Sequence, residues 1–130
     1  MSDDKLETWE AKLRVAFDAV DAILEKEYGD SYPLHPARPK HGATANCKYD
    51  GLFSVSAAYS AGFGSKHGEG YVIEVRMVTL AKVPKNEREE ILEKTAELLR
   101  KNIPVIFPKR ELKVIRDGHT YKIIGNLDID

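Results

Sequence analysis

A chain of 130 residues, 42% apolar and 32% charged, suffices for one hydrophobic core and is unlike a disordered polymer. Its net charge of −1 excludes a domain-wide basic field for nucleic acid, and its lone cysteine, Cys47, excludes an internal disulfide and a cysteine-built zinc site. No apolar run approaches the ~20 residues of a membrane span, and the acidic opening Met1-Ser2-Asp3-Asp4 is unlike a secretion signal, so a soluble, cytoplasmic protein is expected. Glutamine is absent and asparagine occurs four times, a composition that leans toward a thermophilic source.

Residues 4–27 predict the first helix. Leu6, Trp9, Leu13, Phe17, Val20 and Leu24 recur at three and four, with Ala16 and Ile23 widening the stripe. Asp3 or Asp4 suits its cap and Gly29 its end. This stretch is acidic, with eight acids against four bases in residues 1–27.

Residues 30–50 carry Pro33, Pro36 and Pro39 at every third position, which predicts an irregular, extended segment of polyproline type. A strand follows over 52–61, with Phe53, Val55, Ala57, Tyr59 and Ala61 on one face and Ser54, Ser56, Ala58 and Ser60 on the other. The turn Gly62-Phe63-Gly64-Ser65-Lys66-His67-Gly68-Glu69-Gly70 leads into a second strand over 71–82. A symmetric turn sets Ser56 opposite Arg76 and Ala58 opposite Glu74. Val72, Val78 and Leu80 on that same polar face suggest a subunit interface, hence a homodimer.

Pro84 opens a second helix whose apolar positions run from Ile91 to Ile103, and Pro104 is expected to stop it. Asp117-Gly118 then reads as a type I′ turn within 111–124, pairing Val114 with Tyr121, Leu112 with Ile123 and Lys113 with Lys122. The expected fold is a single α+β domain over 1–130, a two-layer sandwich in the order α-β-β-α-β-β. Its antiparallel sheet has about four strands, with both helices on one face.

Residues able to carry chemistry concentrate between Pro33 and Arg76. Four glycines in the nine residues 62–70 exceed the needs of a hairpin. Successive amides there form a nest for an anion, with Ser65, Lys66 and His67 as further donors; the competing reading is a bare hairpin loop. The pattern is neither a P-loop nor a dinucleotide fingerprint, since strand follows it and no Gly-Lys-Ser/Thr opens a helix. Arg38, Lys40 and His41 bring positive charge on the proline segment, although packed prolines with solvated bases account better for that stretch. His35, His41 and His67 also offer three nitrogens to a metal, with Asp50 or Glu69 able to join, but no tight ligand spacing is present. Cys47 beside Lys48 fits a small packed residue better than a nucleophile. The basic run 109–122 holds five bases against two acids. It lacks stacking aromatics on the lysine face, which speaks against nucleic acid.

The reading that unites these features is a small, non-enzymatic binding or regulatory domain that needs no cofactor. It holds an anionic small molecule between the 33–50 segment and the 62–70 turn, through His35, Arg38, His41, Gly62, Gly64, Ser65, Lys66, His67 and Arg76. Two other readings stand beside it: a metal-dependent hydrolase or transferase using His35, His41 and His67, and a protein-interaction module without a small ligand.

Overall fold

The structure is a computed structural model that describes residues 2–46, 49–63, 67–125 and 127, with side chains from residue 8 onward. Two helices and four strands follow one another as α1 (Ser2–Tyr28), β1 (Phe53–Ser60), β2 (Gly70–Met77), α2 (Lys85–Ile106), β3 (Leu112–Asp117) and β4 (Thr120–Gly125). All pairings are antiparallel, and the strands lie in the order β1-β2-β4-β3. The expected fold class and element order hold.

The α1 stripe is buried as its spacing dictates: Trp9, Leu13, Ala16, Phe17, Val20 and Leu24 all face the core. Ile23 does not widen it, being 38% exposed; Asp21 takes a buried position instead. Leu6 and the expected capping side chains of Asp3 and Asp4 lie outside the described residues. On α2, Ile91, Thr95, Ala96, Leu99 and Ile103 are buried, and Asn102 Nδ2 donates to the Ala16 carbonyl of α1 at 3.1 Å. Both helices share one hydrophobic cluster with Phe53, Val55, Ile73, Val114, Tyr121 and Ile123, so they cover the same face of the sheet. Each such side chain contributes about 1.5–3 kcal/mol through burial.

Four local expectations are corrected. Pro84 caps α2 from outside, and Pro104 lies within the helix instead of stopping it. Ile103 and Phe107 are buried on either side of that proline, and the Phe107 amide bonds the Ile103 carbonyl at 2.8 Å, which carries the last turn through. Strand β2 ends at Met77 because Val78 and Thr79 turn to other partners. Val78 bonds Leu52 and His35 through its backbone, and the Thr79 hydroxyl bonds Pro33.

The register of both hairpins differs by two residues from the symmetric reading. Ser54 faces Arg76 and Ser56 faces Glu74. In the second hairpin Asp117 pairs with Thr120, so the turn residues are Gly118 and His119. Gly118 alone has positive φ there, at 64°, the pattern of a II′ turn with glycine first rather than I′. Lys113 therefore faces Ile124, and Lys122 faces Ile115.

That shift removes the expected lysine pair. Lys122 is 2% exposed on the sheet face away from the helices. Its Nζ meets Asp117 Oδ2 and the Gly68 carbonyl, each at 2.9 Å. The Gly68 backbone thus lies against the head of this lysine. Gly70 makes the room, since a Cβ there would sit 2.6 Å from the Lys122 stem and the Ile123 carbonyl. Arg110 lies over Trp9 at 4.7 Å, and Arg100 and Arg116 lie near the Tyr121 ring, so much of the basic run makes intramolecular contacts.

Candidate functional site

The described residues between α1 and β1, 30–46 and 49–52, form an irregular strap. Tight turns bring the Arg38 amide to the His35 carbonyl and the Ala43 amide to the Lys40 carbonyl, both at 2.9 Å. Side chains that bond backbone hold the strap down. Arg38 reaches the carbonyls of Gly51, Asp50 and Phe53 at 3.1, 3.1 and 3.4 Å. Asp50 Oδ2 accepts from the Thr44 amide at 2.9 Å and the Thr44 hydroxyl at 2.8 Å. A guanidinium fork suits several carbonyls at once. Arg38 is thus engaged in folding the strap.

These locks carry His41 to the flank of α1. Asp21 and Glu25 stand one helical turn apart on that flank. One ligand-type atom from each of Asp21, Glu25 and His41 lies within 4.8 Å of the others. His41 Nδ1 is 3.9 Å from Asp21 Oδ1 and 3.7 Å from Asp50 Oδ1. Glu25 Oε1 accepts from the Phe53 amide at 2.8 Å, which fixes one edge of its carboxylate. Gly51, with φ 72°, lies against the Glu25 carboxylate where a Cβ would overlap it.

The two aspartates are differently placed. Asp21 is 2% exposed, and neither of its carboxylate oxygens has a hydrogen-bond partner among the described residues. Burial first, then the neighbouring carboxylates of Glu25, Asp18 and Asp50, push its pKa up to about 8 against an opposing effect of Arg38. Asp50 is fully buried, which by itself raises its pKa. Hydrogen bonds from Thr44 and the Gly42 amide, with His41 nearby, outweigh that and hold it below the usual carboxylate range. Its Oδ1 has no hydrogen-bond partner among the described residues.

Glu25 and His41 also border an open cleft of about 860 Å3 between the C-terminal half of α1 and the strap. Lys26 and Lys40 lie on its rim, Tyr32 and Leu34 on its wall, and Gly51 and Leu52 at its inner end.

The sequence-derived site residues do not converge. His35 accepts the Ala37 amide on Nδ1 at 3.0 Å, within the strap itself. Arg76 is exposed on the outer sheet face opposite Ser54. Gly62 and His67 stand at the far end of the β1–β2 hairpin, about 23 Å from the strap end for an eight-residue strand. Gly64, Ser65 and Lys66, like Cys47 and Lys48, lie outside the described residues. His35 and Arg38 bond to the strap, and His41 faces Asp21 on α1. The three histidines do not meet, because His41 is turned to α1 and His67 belongs to the opposite end. Of the residues named from the sequence, His41 and Asp50 are in the cluster. Asp21 and Glu25 were missed.

The chain belongs to a protein family described as "Uncharacterised protein", whose model matches residues 4–125. It is also similar to a protein of Borreliella burgdorferi called "Uncharacterized protein", 42% identical over 106 residues, which covers 82% of this chain and 83% of that relative. No solved structure matches it. Among the described residues, no helix is long and apolar enough to cross a membrane.

Proposed function

We propose that the chain is a small-molecule-binding domain of the cytoplasm whose ligand, an anion, enters the cleft between α1 and the strap. The cleft carries this reading: at about 860 Å3 it falls within the ~300–1,000 Å3 usual for ligand sites. Lys26 and Lys40 supply positive charge at its edge, His41 adds an imidazole, and Arg38 and Asp50 hold its wall in place without themselves filling it. The cytoplasmic assignment rests on the single cysteine. Assembly as a homodimer through the outer sheet face is part of the same proposal. Its support is the half-buried Val72, Ile115 and Ile124 on that face.

The test is a two-dimensional amide NMR titration with phosphate and with citrate. Shifts at Gly29, Lys40 and Gly51 are expected. Shifts confined to Gly62 and His67–Glu69 would move the anion to the glycine-rich turn, and no shifts at all would remove an anionic ligand of either kind. Sedimentation equilibrium reports the dimer separately.

A further inference from the structure

We propose that Asp21, Glu25 and His41 bind a divalent transition-metal ion at the inner end of the cleft, with Asp50 Oδ1 turned toward the same place. Ligands on one such ion sit about 2.0–2.2 Å from it, so three of them spread evenly around it are about 3.5–3.8 Å apart. The three donor atoms lie within 4.8 Å of one another, so binding draws them together by at most about 1 Å, within reach of side-chain rotation.

The acids are not an ordinary solvated patch. Asp21 is 2% exposed, and among the described residues neither of its oxygens has a hydrogen-bond partner. Buried carboxylates are paired, protonated or bound to metal. Its charged neighbours among the described residues are Asp18 and Glu25 on α1 and Arg38, His41 and Asp50 on the strap. Arg38 lowers the Asp21 pKa through its charge and donates hydrogen bonds to the carbonyls of residues 50, 51 and 53.

Asp50 supplies an independent observation. It lies outside the trio, is fully buried, and has one oxygen tied to Thr44; the other has no hydrogen-bond partner among the described residues and stands 3.7 Å from His41 Nδ1. That is the same ring nitrogen that faces Asp21, so a second buried carboxylate oxygen is turned toward the place a cation would take. The Phe53 amide fixes one edge of the Glu25 carboxylate.

One imidazole with carboxylates, and no thiolate, suits Mn2+, Fe2+ or Zn2+ better than the all-oxygen cages of Ca2+ or Mg2+. Glu25 and His41 border the cleft, so the ion keeps a face open to it. Two ligating carboxylates neutralise a divalent ion, and the open face then takes water or the anion of the reading above. The inference rests on that reading only for this last role.

The experiment is calorimetric titration of the full chain, stripped with chelator, with MnCl2 and then ZnCl2. One ion per chain is expected, with affinity at least tenfold weaker in each of Asp21→Asn, Glu25→Gln and His41→Ala. His35→Ala and His67→Ala should bind as the wild type does. His41 is 39% exposed, so its variant tests the site even where a buried substitution disturbs folding. Thr44→Val, which releases Asp50 without touching a ligand, should weaken Mn2+ severalfold. No binding, or binding that Asp21→Asn and His41→Ala leave intact, overturns the proposal. Mn2+ binding without any phosphate binding upholds it and removes the anionic-ligand reading. Phosphate shifts at the cleft in protein that takes up neither metal do the reverse.

Discussion

Replacing Asp21 by Asn should stabilise the metal-free protein and do so only above acid pH. The substitution keeps the shape and removes the charge. Asp21 has a folded pKa of about 8 against an ordinary value of 3.8. An acid whose pKa is raised by folding binds its proton more tightly in the folded state. Its favourable contribution is complete below the unfolded value and is lost as pH rises through the folded one. Each pH unit in that window costs about 1.4 kcal/mol, hence roughly 4 kcal/mol by pH 7 and at most about 6 kcal/mol above pH 8. Water entering from the cleft reduces this, so a difference of about 2–4 kcal/mol at pH 7 is the expectation. Urea denaturation of both proteins in chelator at pH 4, 5.5, 7 and 8.5 measures it. The two stabilities should differ little at pH 4 and diverge steadily as pH rises. Parallel profiles would refute a buried, unpaired carboxyl at Asp21. Excess Mn2+ should then favour the wild type alone, by about 2.7 kcal/mol at a hundred times the dissociation constant.

Three further outcomes test the scaffold around the site. Arg38→Lys should cost about 2 kcal/mol in chemical denaturation, because an ammonium cannot reach the three carbonyls that the guanidinium serves at 3.1–3.4 Å; unchanged stability would mean that the strap holds without it. Lys122→Met removes the contacts with Asp117 and Gly68, so limited proteolysis within 62–69 should accelerate severalfold, and an unchanged digestion rate would show that the turn does not depend on this lysine. Gly70→Ala places a methyl 2.6 Å from the Ile123 carbonyl and should lower stability by about 1–3 kcal/mol, several degrees in Tm, as read by calorimetry.

The fold was legible where periodicity reports burial. The α1 stripe, the alternation of β1 and the turn signal at Asp117-Gly118 were enough for element order and layer arrangement. Register was not legible, because it depends on which residue of Asp117-Gly118-His119 takes positive φ, and a dipeptide signal does not decide that. The strap was harder still. It is held by Arg38 on carbonyls twelve to fifteen residues away and by Asp50 on Thr44, contacts with no periodic trace. One signal for the site is present in the sequence. Asp21 occupies a stripe position, four after Phe17 and three before Leu24, where an acid breaks the apolar pattern. The rim acid Glu25 follows it at i+4, a like-charge spacing that weakens a helix.

Two buried ionisable side chains, Asp21 and Lys122, separate structural from functional burial in this molecule. Each is 2% exposed. Lys122 is accounted for from within the chain: an aspartate and a carbonyl meet its ammonium at 2.9 Å, and Gly70 leaves room for its stem. Removing it would loosen a loop. Asp21 has no such account. It is buried beside further acids, its oxygens bond nothing among the described residues, and the nearest imidazole stands at 3.9 Å, too far for a hydrogen bond. A fold that needed only stability would place an apolar residue at position 21. Local rules broken without local compensation mark functional sites more often than structural ones. Here three such breaks coincide: the acid in the stripe, the like-charged pair one turn apart, and the unpartnered oxygen of Asp50. A cation bound among them would compensate all three at once.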